Sequence, residues 1–589
     1  MSDSEIARKS HKRRRITRAC DRCSSRSVKC RFHSANPSRC KNCIDYGEAC
    51  TFDRPMGKRG ARPKAVKERN ESLGTVVSSA SPGNVHREAD DRHQTGNESE
   101  TVRALSSNEF WKPKELPGQA IVMDLTEIYF EVVYPVFPFF HRPTLLRKVS
   151  RGEYTSHRPL FAAVMAICAL SSARVRDGAL YTGTWDANSL QSPSSEDLFK
   201  AAAEAIPSDA PLTQEFDYMR AYALLAITSI QLGDLRKLNY YLCLYHSCTA
   251  VGSLHDENNW PADGGFVEIE ERRRLFWSTY TLDVFSSIIW GGVVKSRESC
   301  YNVRYPIECN DEAFNDAIAP RIPEAEDNPA WLRGWNFVTD LYRILEHTVD
   351  SLGHLRRSIE KPPSSSLFLG QSYLTESTVI DNVMTLYNQL PPVFRATQPI
   401  TGYLNTDLFG FQAANIAATL QLVRMAVFTT ENSTVTQKCQ IASEVINGFA
   451  SVPVAYLRAI SAPLLHHLAG IGTILGSAFE NGLSESSYQT VRSVLLDLAN
   501  LLATLEVDMY CAAGTSDKLR TQVSRIDEFM SVHRSKEADK VAWTQGQSEQ
   551  LAASPTVNTD GGFTIDENSP QIQFPAELFE DWSWAIGQI

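Results

Sequence analysis

Apolar residues recur at helical spacing through most of the chain between residues 116 and 535. The clearest stripe starts at Phe216, ends at Ile230 and has apolar residues at i, i+3, i+7, i+11 and i+14. Gly233 and Asp234 interrupt it, and a second helical pattern covers residues 235–251. This pattern predicts two antiparallel helices joined by a tight turn. Residues 116–535 are long and apolar enough to form one large all-α domain with its own core.

Two shorter apolar segments support the all-α prediction. Residues 125–133 have an amphipathic pattern that stops before Tyr134 and Pro135, where a helix is difficult to continue. Residues 160–170 are uninterruptedly apolar. Because a bilayer-spanning helix needs about 20 such residues, we expect a buried helix here and no membrane partner.

Polar composition dominates two other parts of the chain. Residues 66–107 and 536–570 are rich in Ser, Asn, Asp, Glu and Gly and contain few large apolar residues. Such segments bury too little apolar surface to fold alone, so we expect a disordered linker and a disordered tail. The linker lacks a sustained heptad pattern, so the sequence supports no coiled-coil dimer and leaves a homodimer open.

Six cysteines lie within 31 residues near the start of the chain, with the spacing C-x2-C-x6-C-x9-C-x2-C-x6-C. A segment this short cannot build an apolar core, so disulfides or a metal must stabilise it. The preceding residues are polar and basic and do not resemble a secretory signal, which favours thiolate–zinc bonding in a reducing compartment. Six ligands fit two four-coordinate Zn2+ ions that share two bridging thiolates. The predicted ligands are Cys20, Cys23, Cys30, Cys40, Cys43 and Cys50.

This spacing resembles the fungal binuclear zinc-cluster (Zn2Cys6) family at all six cysteines. The resemblance implies that the first and fourth cysteines, Cys20 and Cys40, bridge the two ions. It also implies that the second and third cysteines complete one site and the last two complete the other. In that family the first short helix enters the DNA major groove, usually at CGG-like half-sites. A basic residue often precedes the third cysteine by three positions, but Ser27 stands there in this chain.

Charge supports double-stranded DNA as the partner. Residues 1–70 contain 20 Lys and Arg against 7 Asp and Glu, although the whole chain has a net charge of −10. A basic module on an acidic chain is typical of nucleic-acid binding. Arg and Lys read guanine in the major groove, but contacts to phosphate are as plausible for each residue. The candidate DNA-contacting residues are Arg18, Arg22, Arg26, Lys29 and Arg31.

A second resemblance lies in the helical region. Residues 134–145 and 270–283 are similar to parts of the fungal-specific transcription-factor regulatory domain. Within the second segment, helical spacing predicts core positions for Leu275, Phe276, Tyr280 and Leu282. It also allows Glu270 and Glu271 to pair with Arg274 on a solvated face. The resemblance does not imply that these residues form a ligand site.

The last apolar pattern lies in the C-terminal tail. Acidic residues alternate there with large apolar side chains, which are Phe574, Leu578, Phe579, Trp582 and Trp584. Acidic–aromatic segments of this kind act as activation segments that fold into grooves of transcriptional coactivators. Exposed aromatic residues can equally dock on the chain's own helical domain, and such docking could be an inactive state.

Motifs for catalysis are missing from the sequence. His466 and His467 are adjacent, so on a helix they point in different directions and cannot chelate one ion together. The G-x-G-x3-G at residues 470–476 departs from the dinucleotide fingerprint and follows a helical pattern. The seven cysteines outside the cluster are scattered through apolar stretches, and we interpret them as buried thiols.

Together these features predict a small Zn2Cys6 binuclear cluster domain followed by a large all-α regulatory domain, with a disordered linker and tail. The predicted segments are a basic tail with a nuclear-import signal at 1–17, the DNA-binding domain at 18–53, a basic arm and linker at 54–115, the regulatory domain at 116–535 and the acidic–aromatic tail at 536–589. We expect a zinc-dependent, sequence-specific transcription factor of RNA polymerase II genes in the nucleus. We expect it to activate a pathway or a metabolite gene cluster. A repressor with the same DNA-binding module is the alternative, and a helical enzyme or sensor with an accessory zinc module is a remote one.

Overall fold

The computed structural model describes most of the chain outside the N-terminal tail, the linker and the last residues. Described are residues 19–53, 111–113, 117–461, 482–548, 571–575 and 578, with four single positions between 468 and 479. Gaps inside these ranges fall at 27, 29, 31, 34–35, 48, 214, 263, 291–292, 323–328, 361–375, 429–433 and 508–513. The chain divides into two compact units, residues 1–112 and 113–589. The predicted basic tail, import signal and most of the predicted linker lie outside the described residues.

In its described residues, which lie almost entirely between 19 and 53, the first unit contains two short helices and a small hairpin. Its elements are α1 (Asp21–Ser25), β1 (Phe32–His33), β2 (Asn36–Cys40) and α2 (Lys41–Asp45). The two strands are antiparallel, and Phe32 lies opposite Cys40. The second strand of the hairpin ends at Cys40, which is the residue directly before α2.

The second unit is all-α in its described residues, apart from isolated bridges. Its first helices are α3 (Gln119–Ile128), α4 (Arg142–Ser150), α5 (Arg158–Arg176), α6 (Ser195–Ala205), α7 (Ala210–Thr213), α8 (Phe216–Gln231), α9 (Leu235–Val251) and α10 (Phe266–Trp290). The later helices are α11 (Leu332–Glu360), α12 (Glu376–Gln389), α13 (Leu404–Phe428), α14 (Val435–Ala450), α15 (Val454–Ile460), α16 (Glu485–Glu506) and α17 (Thr515–Ser548). The large helical domain predicted from the sequence is confirmed.

Helix α5 is buried along almost its whole length. It packs against α3, α6 and α8, and its residues from Leu160 to Val175 are all buried. The helix is long and apolar enough to cross a membrane by length and composition, but 89% of its apolar window is buried inside the protein. Its composition therefore reflects a central position in the helical core.

The predicted helical hairpin is present as α8 and α9. The turn between them contains Gly233 in the left-handed conformation (φ +72°), and Asp234 caps α9 by accepting a hydrogen bond from the Lys237 backbone N–H at 3.0 Å. Glycine adopts this conformation without the penalty that a Cβ imposes, and aspartate is a favoured helix cap. The local sequence therefore determines both the turn and the start of the second helix.

The segment that follows α3 also agrees with the sequence pattern. The helix widens into a π-turn over Tyr129–Val133 and ends before Pro135. The buried Tyr129 hydroxyl donates to the Phe137 carbonyl at 2.7 Å and accepts from the Phe139 N–H at 3.2 Å. The Tyr129 hydroxyl thus provides hydrogen-bond partners for two backbone groups of the non-helical aromatic segment. Buried polar groups require such partners.

The charged face of α10 corrects one sequence interpretation. Leu275, Phe276, Tyr280 and Leu282 are buried as predicted. However, Arg274 is also buried, with 1% of its side chain exposed, and it pairs with Asp311 at 2.7 Å. Its expected intrahelical pairing on a solvated face is therefore wrong, because a distant loop supplies the partner.

The two glutamates of α10 that were expected to pair with Arg274 also have other partners. Glu270 pairs with Arg273 at 2.6 Å, and Glu271 pairs with Arg220 of α8. Glu271 additionally accepts a hydrogen bond from the backbone N–H of His141 at 2.7 Å. Helical spacing shows which pairs are geometrically possible, but segments that pack over the helix decide which pairs form.

The C-terminal region differs from the predicted boundary at residue 535. Helix α17 continues through Ser548. Its last part carries charges at helical spacing, such as Lys536 and Asp539, and has good helix formers without an apolar face. Residues 536–539 are exposed, and composition alone does not separate an exposed helical segment from a disordered tail.

Candidate DNA-binding zinc cluster

Each half of the cysteine segment begins with the same local structure. Cys20 is the N-cap of α1, and its Sγ accepts a hydrogen bond from the Cys23 N–H at 3.4 Å. Cys40 is the N-cap of α2, and its Sγ accepts from the Cys43 N–H at 3.3 Å. A thiolate at a helix N-terminus is stabilised by the unpaired N–H groups there. The two C-x2-C pairs are thus two equivalent helix starts.

The third cysteine of each half returns to the first. The Cys20 N–H donates to Cys30 Sγ at 3.5 Å, and the Cys40 N–H donates to Cys50 Sγ at 3.3 Å. The two halves therefore repeat in structure as they do in spacing. We call the six thiols and these two half-segments the zinc cluster.

The sulfur atoms form two groups of four that share two members. One group contains Cys20, Cys23, Cys30 and Cys40, and the ligand atoms lie within 4.8 Å of one another. The other group contains Cys20, Cys40, Cys43 and Cys50 and meets the same limit. Residues 20 and 40 belong to both, which is the arrangement expected of two bridging thiolates.

The sulfur separations fit tetrahedral zinc. The Sγ atoms of Cys20 and Cys40 are 3.7 Å apart, those of Cys20 and Cys43 are 3.7 Å apart, and those of Cys23 and Cys40 are 3.6 Å apart. Zn–S bonds of about 2.3 Å at tetrahedral angles place two ligand sulfurs roughly 3.8 Å apart. The donor set is purely thiolate, which suits zinc. The residues present therefore fit two zinc ions.

Electrostatics make thiol deprotonation part of zinc binding. Burial acts to raise the pKa of Cys20, but the Cys23 N–H and neighbouring thiols lower it to about 7. Burial raises the pKa of Cys30 to about 11 and raises those of Cys23 and Cys43 further. Since zinc binds thiolates, loading the cluster must release protons.

Contacts between the halves involve two residues that lie between paired cysteines. Arg22 lies over the Tyr46 ring, with its Cζ 4.9 Å from the centroid, and donates to the Asn42 carbonyl at 3.5 Å. The Asn42 amide in turn donates to Cys23 Sγ at 3.8 Å. Arg22 and Asn42 occupy the same position in the two C-x2-C pairs, a repeat in the sequence that could have indicated this pairing.

Residues after the sixth cysteine close the unit. The Asp21 N–H donates to the Thr51 carbonyl at 2.8 Å, and the Asp21 carboxylate accepts from the Thr51 hydroxyl at 3.1 Å and from the Asp53 N–H at 2.5 Å. Asp21 therefore ties the start of α1 to residues 51–53. The sequence analysis did not single out this aspartate.

The predicted DNA contacts are only partly covered by the structure. Arg22 lies in α1 and Arg26 is the C-cap of that helix. Arg18, Lys29 and Arg31 lie outside the described residues. Their roles, and the assignment of each cysteine to a particular ion, stay predictions.

The cysteines outside the cluster differ from the sequence interpretation. Buried thiols are found at Cys168, Cys248, Cys309 and Cys439. Cys243 and Cys300 are exposed, so the prediction of buried thiols is wrong for these two. Apolar neighbours in the sequence do not determine whether a cysteine itself faces the core or the solvent. Cys511, His466, His467 and residues 470, 472 and 476 fall outside the described residues.

The predicted activation segment is described at two of its five residues. Phe574 and Leu578 are both partly buried against the helical unit. Phe579, Trp582 and Trp584 lie outside the described residues. The contacts of the described part are given below.

Two family models match this chain. The fungal Zn(2)-Cys(6) binuclear cluster domain matches residues 18–59, and the fungal specific transcription factor domain matches residues 126–391. These domains, in this order, define a DNA-binding regulator of transcription whose small N-terminal domain holds two zinc ions with six cysteines. The chain belongs to the fungal Zn2Cys6 transcription factors, and the proteins of this class are not enzymes.

Relatives of known name are distant. The azaphilone cluster-specific transcription factor of Aspergillus niger is 26% identical over 45% of this chain and 56% of its own length. The transcriptional activator protein acu-15 of Neurospora crassa is 23% identical over 33% of this chain and 20% of its own length. Activator of stress genes 1 of Saccharomyces cerevisiae is 22% identical over 41% of this chain and 25% of its own length. The chain thus spans about half or less of the length of these relatives. No solved structure matches it.

Proposed function

We propose that this regulator is a nuclear activator that reads duplex DNA through α1 and recruits coactivators through its C-terminal segment. The observation that carries the DNA-reading part is the anchoring of α1. The shared thiol Cys20 caps its first turn, and Arg22 fixes it against α2. A helix held this firmly, with Arg26 as its C-cap, can present that side chain to the major groove with little further ordering of its backbone on binding.

Within this proposal, the basic residues have different tasks. Arg22 positions α1, since its guanidinium stacks on Tyr46 within the cluster. Arg26, at the opposite end of α1, is the candidate for reading a base. Arg18, Lys29 and Arg31 are further DNA contacts by their place in the sequence, to bases or to phosphates.

Selection of random duplex DNA by the full chain, with and without a chelator, tests sequence-specific reading. We expect a zinc-dependent motif whose half-site number and spacing distinguish a monomer from a homodimer. Replacing Arg26 with alanine should relax the preference at one base position, at a cost of about 1–3 kcal/mol, because a paired guanine loses its donors. Arg59→Ala, which removes a basic residue outside the cluster halves, is the control. A uniform loss of affinity across all sequences would instead make Arg26 a phosphate contact.

The activating role is supported by the acidic–aromatic composition of residues 574–586 and by the name of one relative, a transcriptional activator protein. Another relative is named as an azaphilone cluster-specific transcription factor, and this name favours a metabolite gene cluster as the target. The basic run at residues 8–15 supports nuclear import.

Fusion of residues 566–589 to an unrelated DNA-binding domain tests activation directly. We expect reporter expression above that of the same fusion with Phe574, Trp582 and Trp584 replaced by alanine. Silence of both fusions would remove the basis for activation and favour the repressor.

A further inference from the structure

The start of the acidic–aromatic segment is paired with the helical unit through its backbone. Ile572 and Leu483 form an isolated antiparallel bridge. The Leu483 N–H donates to the Ile572 carbonyl at 3.1 Å, and the Ile572 N–H donates to the Leu483 carbonyl at 2.9 Å. Both side chains are buried. The chain near residue 572 is therefore held in one register.

Phe574 is the second anchor of this segment. Its ring lies 5.1 Å from that of Phe479 in an edge-to-face arrangement, 5.4 Å from that of Phe529 and 6.4 Å from that of Tyr488. Three aromatic rings from separate parts of the unit thus surround one tail side chain. Aromatic clusters of this geometry are favourable beyond the area that they bury.

The third anchor is a buried amide. Gln522 of α17 is 4% exposed, and its Nε2 donates to the Leu578 carbonyl. The amide thereby satisfies a tail carbonyl. Backbone pairing, an aromatic anchor and a side-chain amide therefore hold the tail at residues 572, 574 and 578. We call the surface formed by Phe479, Leu483, Tyr488, Gln522 and Phe529 the tail groove.

Gly482 allows the tail backbone to approach this groove. It has φ +78°, and a Cβ there would lie 3.0 Å from the Ile572 carbonyl oxygen and 2.7 Å from the Gln573 side-chain nitrogen. Gly514, before α17, has a similar φ of +82°, but a Cβ there would meet nothing within 4 Å. The two glycines share a backbone conformation and differ in contact with the tail.

We propose that the tail groove masks the activation segment by occupying Phe574 and Leu578. This inference rests on the activating role proposed above. A Phe574 ring packed against Phe479 and Phe529 cannot at the same time fill a coactivator groove, so docking and recruitment exclude each other. Covalent linkage gives the tail a high effective concentration, on the order of millimolar, so a small contact area suffices. The same small area lets a competing partner displace it.

Replacing Gly482 with alanine in the full chain tests the masking, with Gly514→Ala as the matched control. Both variants place alanine at a positive φ, but Gly482→Ala also obstructs the tail backbone. We expect the docked population to fall roughly tenfold, with reporter output several-fold above that of Gly514→Ala at equal protein level and DNA occupancy. Gln522→Ala, which removes the Leu578 contact without a change of backbone strain, should act in the same direction.

Hydrogen exchange supplies a readout that does not depend on transcription. The peptide containing Ile572 should be protected in the wild type and in Gly514→Ala, and it should exchange faster in Gly482→Ala and Gln522→Ala. Free exchange in the wild type would overturn docking. Faster exchange with reporter output equal to that of Gly514→Ala would overturn masking while leaving docking in place.

The tail fusion separates this inference from the proposed function. An active fusion with unchanged exchange and output in both groove variants overturns the inference alone. A silent fusion overturns activation, and masking fails with it because there is then no activation to mask. The exchange experiment then reports on docking alone. An active fusion with raised output and faster exchange supports both.

Discussion

Replacing Cys40 with serine should remove both zinc ions from the chain, whereas replacing Cys23 with serine should directly disrupt one site. Cys40 belongs to both groups of four thiols, and Cys23 belongs to one. Because structural zinc supplies the folding free energy of such a small unit, we expect the Cys40 variant to lose specific DNA binding by roughly a thousandfold or more. Zinc content of the purified chain, measured by elemental mass spectrometry, and affinity for a selected DNA site check this result.

Cys300→Ser is the control for the loss of a thiol. Cys300 is exposed and lies in the helical unit, outside the cluster. The Cys300→Ser variant should retain two zinc ions and full DNA affinity. If Cys40→Ser and Cys23→Ser each lost one ion, the bridging assignment would be refuted. A reversed order, with the larger loss for Cys23, would point to a different pair of bridges.

Replacing Arg274 with methionine should lower the free energy of unfolding of the helical unit by about 3–5 kcal/mol. The change leaves the Asp311 carboxylate buried without its cation. Asp311 also accepts hydrogen bonds from the Tyr134 hydroxyl at 2.7 Å and the Arg142 N–H at 2.7 Å, so it cannot move to solvent without breaking them. Burial acts to raise the pKa of Asp311, but Arg274 above all holds it below its usual range. Denaturant unfolding followed by circular dichroism measures the effect.

Lys200→Met provides the matched control for this prediction. Lys200 and Glu204 form an ion pair at 3.9 Å, with side chains 75% and 49% exposed. Water screens such a pair, so its removal should change stability by less than about 1 kcal/mol. Combining Arg274→Met with Asp311→Leu should recover part of the loss, because no unpaired charge then remains buried. Equal effects of the two single variants would show that the buried pair contributes no more than a surface pair.

Local sequence determined the parts of this fold that prediction captured. The α8–α9 hairpin follows from an apolar stripe, a glycine and a capping aspartate within a few residues. The zinc cluster follows from cysteine spacing, because the number of ligands and the short loops between them leave few arrangements. Both signals are complete within a short stretch of chain, so tertiary packing had little to add.

Partners from distant parts of the chain explain what prediction missed. Arg274 could be assigned to neighbouring glutamates by spacing, but its partner Asp311 comes from a loop after the helix. Arg22 could be identified as a cation, but its stacking on Tyr46 depends on how the two halves of the cluster meet. The docking of Phe574 requires rings from three separate segments. The sequence pattern identifies the chemical type of such residues, but it does not identify the distant residues that they contact.

The repeated geometry of the zinc cluster is not matched by a repeated charge. The half from Cys20 to Cys30 has three basic residues and one acidic residue, while the half from Cys40 to Cys50 has one basic residue and two acidic residues. The two halves, which are similar in local structure, thus differ in charge: the first is cationic and the second weakly anionic. We expect the polyanionic duplex to favour the first half, which would give the module a polarity on DNA that its metal core alone would not impose. Sequence change in the second half could then alter stability and zinc retention without altering which bases are read.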